Sequence, residues 1–114
     1  MEVELDIYSG RENPRVPLPA AEAEALASAL ASLPDAAAAA EPEALGYRGL
    51  VIAAPSAAIA SLRIRGGRVA ITDAAGAVAW REDAGRRLER RLIEAIAPSL
   101  DPALAAYLRE ATSR

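Results

Sequence analysis

The sequence predicts an α+β fold: a small domain in which three helices pack on an antiparallel or mixed sheet of about four strands. Two patterns indicate it. The first residues alternate between apolar and acidic side chains, the period of a half-buried strand, whereas later segments repeat apolar residues at helical spacing. The predicted order is β-α-β-β-β-α-α, which favours helices gathered on one face. A single domain over residues 1–114 is expected, because this length buries roughly two-thirds of the unfolded surface.

The first strand is predicted at residues 2–8. Apolar Val3, Leu5 and Ile7 alternate there with acidic Glu2, Glu4 and Asp6. A polar loop, SGRENPR, follows at residues 9–15. Residues 16–18 could extend the chain again, but Pro17 and Pro19 lack the N–H donors of a ladder. This piece is therefore expected at a sheet edge or outside the sheet.

The first helix is predicted between Pro19 and Pro34, with Pro19 at its first position. Leu26, Leu30 and Leu33 give it a narrow apolar stripe. Residues 34–46, rich in alanine, proline and glutamate, are interpreted as an internal connection, with one helical turn at residues 42–45.

Three further strand segments follow. YRGLVIAA, at residues 47–54, is typical of a buried strand. Residues 60–72 predict a hairpin, in which Gly66 and Gly67 form a tight turn that needs positive φ. After a second turn, AVAWRE at residues 77–82 predicts a strand that contributes Trp80 to the core.

Two helices are predicted to close the chain. Asp83 caps the first, whose buried face is formed by Leu88, Leu92, Ile93 and Ile96. Its solvated face is expected to carry the pairs Arg86–Glu89 and Arg90–Glu94. Asp101 and Pro102 open the last helix, which is expected to turn Leu104, Tyr107, Leu108 and Ala111 inward.

Composition excludes several chemistries. The chain contains no cysteine and no histidine, so thiol catalysis, disulfides, zinc sites of the usual types and a histidine general base are excluded. Its 13 basic residues are all arginine, and its net charge of −3 makes nucleic acid an unfavourable partner. The chain has neither a signal-peptide pattern nor an apolar membrane segment. We therefore expect a cytoplasmic bacterial protein with no membrane partner.

The polar loop is the first candidate site. Ser9, Arg11, Asn13 and Arg15, together with Tyr47 and Arg48, could bind a small anionic ligand or an acidic peptide, chiefly through the three arginines. The alternative is structural: the arginines pair with Asp6, Asp83 or a backbone carbonyl and tie the loop to the core. Gly10 and Pro14 are ordinary turn residues in either case.

The hairpin arginines are the second candidate. Arg63, Arg65 and Arg68 could form an interaction surface, or they could protect a solvated face or edge of the sheet from aggregation. Catalytic residues are not predicted, because Ser9 has no base to activate it. Glu2, Glu4 and Asp6 lack the loop carbonyls and glycine of a dedicated cation site, so neither metal nor cofactor is expected.

These observations favour a non-catalytic interaction or accessory protein, whose partner is another protein or a second copy of this chain. Binding of a small anion through Arg11, Arg15 and Arg48 is the alternative. A third hypothesis is a subunit of an enzyme complex, in which a partner supplies the missing base.

Three short motifs resemble a pattern found in a group of small bacterial proteins with which no activity is associated. They are SGRENP at residues 9–14, GYRG at 46–49, and an aspartate followed by Arg and Leu-Glu at 83–89. This chain departs from the pattern with Glu12 in place of a small residue or proline, and with Val16 in place of an aromatic. The resemblance implies no activity, and it marks residues 9–14, residues 47–49 and Asp83 as positions to test.

Overall fold

The computed structural model describes residues 1–8, 10–40 and 46–113. Its strands are β1 (Glu2–Leu5), β2 (Arg15–Pro17), β3 (Leu50–Ser56), β4 (Ile59–Arg65), β5 (Arg68–Asp73) and β6 (Val78–Glu82). Its helices are α1 (Ala20–Ser32), α2 (Arg87–Ile96) and α3 (Pro102–Ala111), and short 3-10 turns at Ala84–Arg86 and Ala97–Ser99 flank α2. The predicted α+β class is confirmed.

The number of strands differs from the prediction. The six strands of the described residues form one antiparallel sheet in the order β2-β1-β3-β4-β5-β6. The prediction of about four strands is therefore wrong. The order β-α-β-β-β-α-α omits β2 and counts three strands where four follow α1. Val16 pairs with Val3 despite the neighbouring prolines, because an edge strand needs ladder bonds on one side only.

One face of the sheet carries the core. Side chains of β1, β3, β4 and β5 pack there with apolar side chains of all three helices in one cluster. The predicted inner face of α2 is confirmed, since Leu88, Leu92, Ile93 and Ile96 are all buried. Two expectations about aromatic side chains are wrong. Trp80 is half-buried and does not belong to this cluster, and Tyr107 is 44% exposed.

The β4–β5 hairpin turns as predicted. Gly66 and Gly67 adopt φ of 55° and 87°, and positive φ at both positions gives the turn a twist that matches its strands. Gly49 is needed for a different reason. At its φ of 128°, a Cβ atom would lie 2.8 Å from Cβ of Arg65 and 2.9 Å from the carbonyl oxygen of Ile64. The backbone before β3 can therefore approach β4 closely only with glycine at this position.

The two edges of the sheet are differently covered. At one edge, β2 faces β1 through residues 14, 16 and 18, since Leu5 N donates to the Pro14 carbonyl and Leu18 N to the Met1 carbonyl. At the other edge, residues 34–36 run beside β6, where Glu82 N donates to the Pro34 carbonyl over 2.8 Å. The connection 34–46 is therefore anchored at its start. The helical turn predicted at residues 42–45 lies outside the described residues.

The predicted cap of α3 is confirmed, whereas the start of α1 and one ion pair of α2 differ from the prediction. The Asp101 side chain accepts a hydrogen bond from Ala103 N over 2.8 Å, as predicted for the cap of α3. Pro19, however, precedes α1 and is not its first residue. Glu94 pairs with Arg109 of α3, and Arg90 donates to the Gly85 carbonyl, so the predicted Arg90–Glu94 pair is not formed. Among the described helices, none has the length and apolar character that crossing a bilayer requires.

Candidate functional site

The face of the sheet opposite the core, here called the open face, carries the three hairpin arginines. Cross-strand pairing aligns one row of residues over all six strands, namely Arg15, Glu4, Val51, Arg63, Ala70 and Trp80. Residues two positions apart on a strand share a face, so Arg65 lies beside Arg63. The row therefore runs from an ion pair on β2 and β1, through a guanidinium on β4, to an aromatic ring on β6.

Arg65 and Arg68 lie directly opposite each other where β4 turns into β5. Like charges in this arrangement destabilise a sheet. Their hydrogen-bond acceptors are main-chain carbonyls, of Ala40 for Arg65 and of Gly67 for Arg68. No carboxylate of the described residues forms a salt bridge with either side chain. This includes Glu82 of β6, although it lies opposite Arg68 of β5. Within residues 1–8, 10–40 and 46–113, these two adjacent positive charges on the open face thus have no carboxylate bound to them.

Asp6 binds two arginines beside this pair. Arg48 Nη2 lies 3.0 Å from Asp6 Oδ1, and Arg63 Nη1 lies 2.8 Å from Asp6 Oδ2. Arg48 also donates to the Tyr8 carbonyl over 2.9 Å. Burial alone would raise the pKa of Asp6, but the hydrogen bonds from Arg63 and Arg48 outweigh it and hold the pKa below its ordinary value. Asp6 is therefore a fixed anion that joins the end of β1 to β4 and to the segment before β3.

Tyr47 belongs to a buried network around Glu89, whose side chain is 0% exposed. Glu89 Oε1 accepts from Arg86 Nε and Gly66 N, at 2.9 and 3.1 Å, while Oε2 accepts from the Tyr47 hydroxyl and Arg86 Nη2, at 2.5 and 3.1 Å. Arg86 also donates to the Ala111 carbonyl at the end of α3. Burial, reinforced by the Glu89 charge, raises the pKa of Tyr47 far above its ordinary value, so its hydroxyl stays protonated.

The prediction that Arg86 and Glu89 pair on a solvated face is therefore only half right: they pair, but inside the protein. The sequence contained a signal for this. Glu89 precedes Leu92, Ile93 and Ile96 by three, four and seven residues, the spacing of one helix face. The carboxylate therefore stands on the apolar stripe of α2.

The polar loop is held by its own side chains. Asn13 Oδ1 accepts from Ile7 N and Tyr8 N, over 3.1 and 2.8 Å, and its amide donates to Glu4. Gly10 turns with φ of 78°, and the Pro14 carbonyl accepts from β1. Ser9 lies outside the described residues.

The three arginines proposed to bind one anion have different partners. Arg11 stacks over the Tyr8 ring at 3.8 Å from its centroid, Arg15 pairs with Glu4, and Arg48 pairs with Asp6. Arg11 and Arg48 meet at Tyr8, one on its ring and the other on its carbonyl. Arg15 stands apart on the edge strand.

Asp83 anchors the start of α2 to the hairpin. Its carboxylate accepts from Leu88 N and Glu89 N, over 2.8 and 3.0 Å, and its own N–H donates to the Gly67 carbonyl. Residues of all three motifs noted in the sequence, Asn13, Arg48 and Asp83 among them, thus make contacts that hold separate segments together.

A small pocket of about 150 Å³ opens between the open face and the Glu89 network. It is lined by Tyr47, Arg48, Arg65, Gly66 and Arg86. Arg48 and Arg86 already bind carboxylates, whereas Arg65 binds a carbonyl. The pocket is large enough for a single carboxylate or phosphate group.

Comparison of the chain with protein-family models, with curated proteins and with solved structures found no match.

Proposed function

We propose that this protein acts by binding, without catalysing a reaction, and that it holds an acidic segment of a partner protein on its open face. The observation that carries the proposal is the cross-strand pair of Arg65 and Arg68, whose positive charges are balanced by no salt bridge within the described residues. A carboxylate placed between them would turn a repulsion into two charge-assisted hydrogen bonds.

The neighbouring residues favour a segment that mixes acidic and apolar side chains. Trp80 lies two strands from Arg63 in the same row, a distance of about 10 Å at ordinary strand spacing. Val78, on the same strand and face as Trp80, is 51% exposed. A partner with carboxylates over Arg65 and Arg68 would therefore bring its next side chains against an apolar surface.

The buried polar groups support a structural role for the rest of the cluster. Tyr47 and Glu89 are hydrogen-bonded to each other, and Asp6 is occupied by two arginines. The Tyr47 hydroxyl donates its proton to Glu89, and both Asp6 oxygens accept hydrogen bonds from guanidinium groups, so these groups are already engaged within the protein. The Tyr47–Glu89 pair and Asp6 therefore position the hairpin that presents Arg65 and Arg68.

Trp80 provides the assay, because it is the only tryptophan of the chain and lies on the proposed surface. Its emission would be followed during titration with a short synthetic peptide of alternating glutamate and leucine, and with the matching peptide of lysine and leucine. We expect saturable binding of the acidic peptide alone, weakened between about 20 and 300 mM salt as screening increases.

Arg65→Glu is the test variant, and we expect it to lose about tenfold or more in affinity. Arg87→Glu is the matched control: Arg87 is exposed on α2, so the same charge change should leave binding nearly unchanged. Equal losses in both variants would mean that net charge governs binding, and the proposal would be wrong. Tighter binding of a single-stranded oligonucleotide than of the acidic peptide would also contradict it.

Binding of a small anion is the second candidate function, favoured by the pocket that Arg48, Arg65 and Arg86 line. Inorganic phosphate and citrate test it. If either raises the melting temperature more than sodium chloride of equal ionic strength, and Arg65→Glu abolishes the effect, the pocket binds free anions. Otherwise this candidate fails.

A further inference from the structure

A groove of about 320 Å³ lies between α1 and the core-facing side of the sheet. Its walls include Ala23, Leu26 and Ala27 of α1, with Ile59 of β4 and Ile71 of β5 opposite them. The helix meets the sheet here largely through alanine, whose methyl group is too short to fill the space that a leucine or phenylalanine would occupy. Ile59 and Ile71 consequently remain only half-buried.

One charged side chain, Arg81, lines this apolar groove. Arg81 pairs across the sheet with Val69, so it stands on the core-facing row, where Leu50, Ile64 and Val69 are fully buried. Its carboxylate partner is Asp35, at 2.5 Å. The Asp35 side chain is 90% exposed, against 31% for Arg81. An ion pair with a carboxylate this exposed contributes little to stability, so another carboxylate can replace Asp35 at a small cost in free energy.

We propose that this groove binds a small amphipathic monocarboxylate, with its hydrocarbon part between α1 and the two isoleucines and its carboxylate on Arg81 in place of Asp35. The volume admits about ten heavy atoms, at roughly 30 Å³ for each water-sized group. It lies at the lower end of the range for ligand pockets, and one fixed charge in an apolar lining is a usual composition for them. Octanoate has this size and chemistry.

The site is independent of the acidic-segment site, because it uses the other face of the sheet. Arg65 and Arg68 point away from α1, and Arg81 points toward it. Failure of one proposal therefore leaves the other standing.

The test is titration of the ¹⁵N-labelled protein with octanoate, followed by NMR. We expect saturable shifts of amides in α1 and at Ile71, with a Kd near or below about 1 mM. Octanol, which lacks the charge, and acetate, which lacks the chain, should each bind more weakly. Arg65→Glu should leave the affinity unchanged.

Three variants separate the proposal from a structural role of the ion pair. Arg81→Gln should weaken octanoate about tenfold or more. Asp35→Asn should tighten it about two- to fivefold, since the competing carboxylate is removed. Ala27→Leu should block the groove; Ala27 is exposed at its edge, so the larger side chain should not disturb the fold.

Several outcomes would overturn the inference. The first is that the amide shifts do not saturate up to about 10 mM octanoate. The second is that Ala27→Leu leaves the shifts unchanged, and the third is that Asp35→Asn does not increase the affinity. A concentration-dependent dimer that Ala27→Leu dissociates would also overturn it, because the groove would then hold a second copy of the chain.

Discussion

Replacing Glu89 with glutamine removes the negative charge that balances Arg86 inside the protein. Each of the two Glu89 carboxylate oxygens accepts two hydrogen bonds, and the donors lie on three separate segments of the chain. The amide keeps the shape of the carboxylate, but it leaves the guanidinium without its hydrogen-bonded counter-charge. We therefore expect Glu89→Gln to destabilise the whole fold and not only the end of α2.

The magnitude follows from the burial of the pair. Breaking a buried ion pair costs about 3–5 kcal/mol. Glu89 is 0% exposed and Arg86 is 19% exposed, so water reaches one partner in part, and the lower value of about 3 kcal/mol applies. For a chain of 114 residues this corresponds to a fall in melting temperature of roughly 12 °C.

Circular dichroism during heating and in urea measures this change. Glu94→Gln is the control, because it makes the same substitution on the same helix. Glu94 pairs with Arg109, and the two side chains are 58% and 52% exposed, respectively. The melting temperature of this control should stay within about 2 °C of the wild type. The double variant Glu89→Gln/Arg86→Met should recover at least half of the loss, because the guanidinium that lost its partner is then removed as well.

A fall of less than about 4 °C for Glu89→Gln, or a double variant no more stable than the single one, would refute this account. Either result would mean that the Glu89 network does not join the hairpin to the helices energetically.

Three further changes have defined expectations. Arg65→Glu should raise stability by roughly 0.2–1 kcal/mol at low salt, because it converts a cross-strand repulsion with Arg68 into an attraction; a urea titration that shows a loss would contradict the cost assigned to that pair. Asp83→Ala should lower stability by about 1–2 kcal/mol through loss of its two hydrogen bonds to α2, measured in the same way. Asp6→Asn should change the pH dependence of unfolding. The folded-state pKa of Asp6 is below the ordinary 3.8, so its stabilisation is complete above that pH and is lost as pH falls through the folded value. The variant should accordingly be less stable than the wild type near neutral pH, and its free energy of unfolding should fall less on acidification. Parallel pH profiles of unfolding for the two proteins would exclude Asp6 as the titrating group.

The elements that the sequence predicts well have a local cause. The apolar stripe of α2 and the Gly66-Gly67 turn each depend on residues a few positions apart, and both formed as expected. The α+β class follows from such local patterns. β2 was harder to predict, because its pairing depends on where β1 lies and not on its own proline-rich sequence.

The candidate site depends on distant contacts, which local patterns do not encode. Tyr47 and Glu89 are 42 residues apart, and Arg63 and Asp6 are 57 apart. The hypothesis that Arg48 ties the loop to Asp6 was one of two that the sequence left open. Only the strand order shows that Arg65 and Arg68 face each other on the open face while Arg81 faces the groove.

The two edges of the sheet limit how this protein can assemble. On β2, only residues 15 and 17 turn their backbone outward, and Pro17 has no N–H to offer. On β6, residues 34–36 already bond to the Trp80 carbonyl and to the Glu82 N–H. A partner strand would find one outward N–H on β2 and a partly covered edge on β6, so extension of the sheet into a fibril or a strand-swapped pair is disfavoured. We therefore expect recognition to use the two faces of the sheet, where side chains rather than the backbone determine which molecule binds.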